Sequence, residues 1–178
     1  MKIYVIRHGL TELNVKGLIN GHIPDKLTEA GIQQAKSAAE TLPKSIKHIY
    51  SSPLTRAKQT AEILNQNLNV PITFHDELKE VNFGDLEGTP FLEEQKIQHM
   101  NLQYDWGPSG ENSEQVKQRV LKFLNEIYQS TDDGEALLVT HGGIVRTLTY
   151  LEKGEKQGEI SNAALFEFDL DEILGART

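Results

Sequence analysis

Met1-Lys2-Ile3-Tyr4-Val5-Ile6-Arg7-His8-Gly9, "MKIYVIRHG", sets four β-favouring apolar or aromatic residues directly before an arginine, a histidine and a glycine. So short a run, closed by charge, predicts a buried strand over residues 3–6. It is also too short for a signal peptide, because Arg7 breaks it. In an open α/β sheet ligands gather beyond the carboxyl ends of strands, so an ionisable pair there predicts a site.

Working outward, "KHIYS" at 47–51 and "ALLVT" at 136–140 are two more candidate buried strands. Helical stretches alternate with them. Residues 28–41 ("TEAGIQQAKSAAET") put Ile32, Ala35, Ala38 and Ala39 on one face, and residues 53–68 open with Pro53 in the first turn and carry Ala57, Ala61 and Leu64. Residues 112–128 repeat apolar groups at Val116, Val120, Phe123, Leu124 and Ile127, with Asn112 as N-cap. This rhythm predicts a three-layer α/β/α fold with a mostly parallel sheet. "LFEFDL" at 165–170 alternates apolar and acidic residues, which suits an antiparallel edge strand. Between 84 and 110 the pattern decays, predicting a lid-like excursion over the end of the sheet. The whole, residues 1–178, is expected to form one domain.

Composition narrows the function classes. Eighteen basic against 26 acidic side chains give a net charge of −8, which repels nucleic acid and anionic membrane, so an anion site must be a local exception. There is no cysteine, which excludes disulfides, thiolate zinc sites and cysteine nucleophiles and fits a cytoplasmic location. No stretch approaches the roughly 18 apolar residues of a membrane helix. The histidines lack metal-ligand spacing such as H-E-x-x-H, so no metal and no cofactor is expected.

Ionisable clusters fall at the strand ends or just beyond: Arg7-His8-Gly9, Arg56 in "SSPLTRAKQT", Glu80 in "LKEVNFGDLEG" and His141-Gly142-Gly143 after "LLVT". Two arginines make a phosphoryl cradle, because a guanidinium is planar, always charged and bonds two oxygens at once. Gly9, Gly142 and Gly143 leave space for backbone to approach a ligand. A histidine among cations is biased toward neutral imidazole, the nucleophilic form. Taken singly, each of these residue types is more often a solvated or core group; only their joint placement argues for chemistry.

Arg7-His8-Gly9 with Thr11 and Asn14, then "SSPLTRAKQTA", "ELKEVNFGDLEG", "VTHGGIVR" and "SNAAL", resembles the histidine phosphatase superfamily over roughly residues 1 to 168. The resemblance implies a phosphoglycerate mutase-like fold and a phosphohistidine mechanism. His8 would be the nucleophile; Arg7, Arg56 and His141 would surround the phosphoryl oxygens, with Gly142 beside them; Glu80 would be the general acid. Glu77, Asp85 and Glu87 share its stretch and are rival carboxylates. Asn14 and Gly21 match secondary phosphate or substrate contacts. The implied partner is a small phosphorylated substrate.

The chain departs from the family's usual pattern in "NGHIPDKLTEAG", where Pro24 precedes Asp25 and Lys26 stands before Leu27; Lys26 is read as facing water. The segments between Glu80 and His141 and after Arg146 are shorter than in phosphoglycerate mutases. A less enclosed phosphoenzyme favours transfer to water, so a phosphatase is expected ahead of a mutase-type phosphotransferase or a catalytically decayed phosphate-binding module. Tyr104 and Trp106 are expected to anchor a loop, and His22, His48, His75 and His99 to be surface or core residues. Oligomeric state is open.

Overall fold

The computed structural model describes residues 1–130 and 134–175. Five strands form one sheet: β1 (Lys2–Arg7), β2 (Ile46–Ser51), β3 (Ile72–Phe74), β4 (Glu135–Thr140) and β5 (Leu165–Asp169), in the order β3-β2-β4-β1-β5. β1, β2, β3 and β4 run parallel, and β5 closes the edge antiparallel to β1. The expected strands are present within a residue or so. β3 is an addition to them, since three half-exposed residues give no periodicity to read.

Alternation along the strands builds two cores. Ile3, Val5, Ala136 and Leu138 face α5 (Ser113–Ser130), α6 (Gly142–Lys153) and α7 (Leu170–Gly175). Tyr4, Ile6, Leu137 and Val139 face α2 (Glu29–Thr41) and α3 (Thr55–Leu68). Successive side chains of a strand point to opposite faces, so a central strand with helices on both sides must be apolar throughout. That explains why residues 3–6 carry no polar alternation.

Caps fix the helix starts. Thr28 accepts from the Gly31 N–H at 3.0 Å to begin α2. Asn112 and Gln115 cap α5 reciprocally, each side-chain oxygen accepting the other's backbone N–H at 2.9 Å, as anticipated for Asn112. α3 begins at Thr55 rather than at Pro53, because the Ser52 hydroxyl accepts the Leu54 N–H at 3.3 Å and keeps Leu54 extended. Leu170 opens α7 instead of prolonging β5. Residues 84–110, taken as patternless, contain a 3₁₀ turn at Gly84–Leu86 and α4 (Glu93–Met100). Thr11 caps the short α1 (Glu12–Val15). Among the described residues, no helix is long and apolar enough to cross a membrane.

Candidate active site

Register brings the clusters together. Arg7 pairs with Thr140 across the parallel β1–β4 ladder, and Ser51 with Val139 across β2–β4. The residues just beyond, His8, Ser52 and His141, therefore leave the sheet side by side. The His8 N–H donates to the Thr140 carbonyl at 2.9 Å and the Ser52 N–H to that of Val139 at 2.9 Å. The His8 and His141 rings lie 5.2 Å apart, tilted by 56°.

His8 is buried, and its tautomer follows from its partners. A carbonyl can only accept, so Nδ1, 2.7 Å from the Gly9 oxygen, carries the proton. Nε2 keeps its lone pair and accepts from Arg56 Nε at 3.2 Å. Burial, reinforced by Arg56 and Arg7, pushes the imidazole well below its ordinary pKa, so the ring is neutral at pH 7. A neutral ring with its lone pair aimed among cations is chemically able to attack an anionic electrophile.

Arg56, on the first turn of α3, is wholly buried. Its fork is set by the Gly21 carbonyl at 2.7 Å and the Ile23 carbonyl at 3.3 Å. Burial lowers its pKa to about 10, with Glu80 and Asp25 opposing, and it remains a cation. Arg7 donates through Nη1 to the Ile160 carbonyl, while its buried Nε has no partner. His141 contacts the Ser52 hydroxyl through Nε2 at 2.8 Å and leaves a buried Nδ1 unpaired. Burial, then Arg56 and His8, depress its pKa strongly as well. Unpaired buried polar atoms are costly, and two on the residues around His8 suit a ligand whose oxygens would satisfy both.

Glu80 completes the group from the loop after β3. Its carboxylate accepts the Gly143 N–H at 3.1 and 3.3 Å, at the amino end of α6, and the Val81 N–H at 2.9 Å. Arg7, His8, Arg56, Glu80 and Gly142 all line one cavity of about 410 Å³. Its lining is mixed: Leu18, Ile19, Phe83, Phe91, Met100 and Ile160 are apolar, and Glu93, Lys96 and Glu159 add charge. Of the rival carboxylates, Glu87 instead accepts the His22 and Phe83 N–H groups at 2.9 and 3.2 Å, and neither Glu77 nor Asp85 lines the cavity.

The secondary residues divide. Asn14 lines the cavity, yet its side chain is also engaged by Thr11, Asn20 and Asn162. Gly21 lines it too, and its carbonyl orients Arg56. Two glycines have other reasons than the ligand approach expected of them. A Cβ at Gly9 would strike the Gly31 carbonyl, and one at Gly143 would strike Glu80 Oε1 and lie 2.8 Å from Val81 Cγ2. Both therefore admit protein neighbours. Lys26 is exposed, as anticipated. Tyr104 and Trp106 stack at 5.4 Å outside the cavity wall, in keeping with anchoring.

Arg146 and His99, neither expected in the site from the sequence, also line the cavity. Arg146 lies one helical turn beyond Gly142 on α6, held by the Gly158 carbonyl at 3.2 Å. Its spacing from Gly142 was the available signal. His99 is 4% exposed and sits against Phe83, Phe91 and Tyr104. Burial lowers its pKa to about 4, against the opposing charge of Glu80. His99 is therefore a core residue, one of the two placements expected of it, and it lines the cavity as well.

Residues 3–172 match the family model described as the histidine phosphatase superfamily (branch 1). The chain is 33% identical over 147 residues to an uncharacterized phosphatase, PhoE, of Bacillus subtilis (strain 168), covering 82% of this chain and 74% of that protein. It is 32% identical over 163 residues to the adenosylcobalamin/alpha-ribazole phosphatase of Salmonella typhimurium (strain LT2), covering 83% and 77%. A crystal structure of phosphoglycerate mutase from Thermus thermophilus superposes with a TM-score of 0.79 at 30% identity, covering 95% of this chain and 93% of that one.

Proposed function

The chain belongs to the histidine phosphatase superfamily, branch 1, and from that premise we propose that it is a phosphoric monoester hydrolase acting on a small phosphorylated metabolite through a phosphohistidine at His8. The observation that carries this reading is the 2.7 Å contact of His8 Nδ1 with the Gly9 carbonyl, which assigns the proton to Nδ1 and leaves the Nε2 lone pair beside Arg56 in a cavity that Arg7 also lines.

Two chemical steps follow. His8 Nε2 attacks phosphorus; the bond from phosphorus to the leaving oxygen breaks, and Glu80 gives that oxygen its proton. The product alcohol departs. Water then attacks the phosphohistidine, Glu80 takes the water's proton, and the N–P bond breaks to restore neutral His8 and free phosphate. Arg7, Arg56 and His141 donate to the equatorial oxygens, where charge spreads in the transition state. The Nδ1 bond to the Gly9 carbonyl keeps the ring oriented while Nε2 changes partner. Asn14, Gly21 and Gly142 would flank the bound group, and a cavity of about 410 Å³ suits a leaving group of metabolite size.

The names of the relatives, PhoE and alpha-ribazole phosphatase, support hydrolysis over isomerisation. The test is chemical. His8→Ala should abolish acid-labile phosphoenzyme in rapid-quench labelling and nearly all release of phosphate; wild-type-like hydrolysis by that variant would falsify the assignment. Assay of the wild-type product with and without a bisphosphorylated primer separates free phosphate from an isomerised ester.

A further inference from the structure

Glu80 stands in a segment with little regular structure of its own: after the 3₁₀ turn Asp76–Leu78, the chain from 79 to 82 is neither helix nor strand. Its backbone is instead held by side chains. Arg119, on α5, donates through Nη1 to the carbonyls of Glu77 and Lys79 at 2.6 and 2.9 Å, and through Nη2 to that of Glu80 at 3.1 Å. The Thr140 hydroxyl donates to the Leu78 carbonyl at 2.7 Å, and His22 Nε2 to that of Glu80 at 2.8 Å.

Arg119 is in turn gripped by Glu111. Nε and Nη2 meet the two carboxylate oxygens at 2.7 and 3.0 Å, and the side chains are only 18% and 20% exposed. Burial raises the Glu111 pKa, but the Arg119 hydrogen bond and charge outweigh it and hold the carboxyl below its ordinary value, so the pair is ionised. Glu111 also reaches past Glu80: Oε2 accepts the Asn82 N–H at 2.9 Å, and its own N–H donates to the Asn82 carbonyl at 2.8 Å. The clamp thus fixes the backbone on both sides of the one carboxylate in the segment that enters the cavity. Arg119 is not among the cavity's lining residues.

We infer that Arg119, locked by Glu111, is the positioning residue for the acid Glu80; the inference rests on Glu80 acting as the acid of the proposed reaction. Proton delivery needs the carboxyl within about 2.6–3.2 Å of the leaving oxygen, a tolerance that an irregular loop does not supply unaided. Only a guanidinium, with five donors in a rigid fork, can hold three carbonyls and a carboxylate at once; a lysine ammonium has three donors and no fork. The clamp acts on proton transfer and, among the described residues, makes no hydrogen bond to the phosphoryl cradle, built on β1, α3 and the start of α6; its reach there is limited to the minor effect of the Arg119 charge on His141.

The experiment measures the rate of His8 phosphorylation by rapid quench, with β-glycerophosphate as alkyl donor and p-nitrophenyl phosphate as aryl donor. It compares wild type, Glu80→Gln, Arg119→Gln, Arg119→Lys and Glu111→Gln, alongside thermal unfolding and the affinity for inorganic phosphate. An aryl oxygen departs with little protonation, so Arg119→Gln should lose about 100-fold with the alkyl donor and less than about 5-fold with the aryl one. Arg119→Lys should not rescue it, and phosphate affinity should stay within about 3-fold, since the phosphate-binding groups are intact. If the Arg119 variants do not fold, Glu111→Gln carries the test, with a roughly 10-fold loss confined to the alkyl donor. Equal losses on both donors, or a lowered unfolding temperature with the alkyl-to-aryl ratio unchanged, would make the clamp merely structural and overturn the inference. Should Glu80→Gln be selective while Arg119→Gln and Glu111→Gln are not, only the positioning role falls. Should Glu80→Gln itself show no selectivity, the acid assignment falls and takes the inference with it.

Discussion

Gly143 joins two distant parts of the chain with the side chain it lacks. Its N–H holds the Glu80 carboxylate at 3.1 Å, and a Cβ there would strike Oε1 and press on His99 Cε1 at 3.0 Å. Gly143→Ala should therefore displace the Glu80 carboxylate, the proposed acid, while sparing the cradle: kcat for alkyl phosphates is expected to fall about 10- to 100-fold with KM nearly unchanged, read by steady-state phosphate release. An unaltered kcat would show that Glu80 does not depend on this contact. At this scale the sequence was partly legible. The Arg7-His8 and His141-Gly142 strings marked positions that the fold brings to one cavity wall or beside it, but the partner of Gly143 lies 63 residues away and leaves no local trace. Arg119 and Glu111 escaped notice for the same reason, since arginine on a helix and glutamate after a glycine are most often solvated.

Among the elements, α2 supports the loop that follows His8 although it contributes no lining residue. Its N-cap and second turn pack against the loop that follows His8: the Thr28 N–H donates to the Leu10 carbonyl at 2.9 Å, and Gln34 Oε1 accepts the Leu10 N–H at 2.9 Å. Gly31 allows this approach, because a Cβ there would collide with the Leu10 carbonyl and come within 2.8 Å of its nitrogen. Gly31→Ala should lower the free energy of unfolding by about 2 kcal/mol, the usual cost of overpacking, and reduce turnover by moving the His8 loop. Urea titration measures the first; stability equal to wild type would mean that the loop yields without cost. The strands and long helices were readable because apolar runs and 3.6-residue spacing are local properties. Strand order was not, since β1 hydrogen-bonds to β4 and β5 at the opposite end of the chain. α4 was also missed: its polar residues give a weak apolar face, and only His99 is buried.

For the molecule as a whole, the cost of the site should appear as a pH dependence of stability. His8, His99 and His141 are buried with depressed pKa values, in each case chiefly by burial, His99 reaching about 4. The unfolded chain binds protons at these groups near pH 6.5 and the folded chain does not. Unfolding therefore takes up protons as the pH falls, and the free energy of unfolding decreases with it. Above about pH 7 stability is flat with respect to these residues. Below about 6.5 each removes up to ~1.4 kcal/mol per pH unit, until its folded-state pKa is reached. For His99 the window closes near pH 4, a total of about 3 kcal/mol. Glu111, whose folded pKa is also depressed, adds its loss only at lower pH, once the unfolded carboxyl begins to protonate. Urea unfolding from pH 8 to pH 5 should show a plateau and then a fall whose slope corresponds to as many as four protons, because burial also lowers the pKa of His48. His99→Phe, which replaces the imidazole with an apolar ring among Phe83, Phe91 and Tyr104, should lower that slope by one proton without altering the plateau's shape. Constant stability down to pH 5 would mean that these histidines become protonated in the folded protein, and would remove the basis for a neutral His8 as nucleophile.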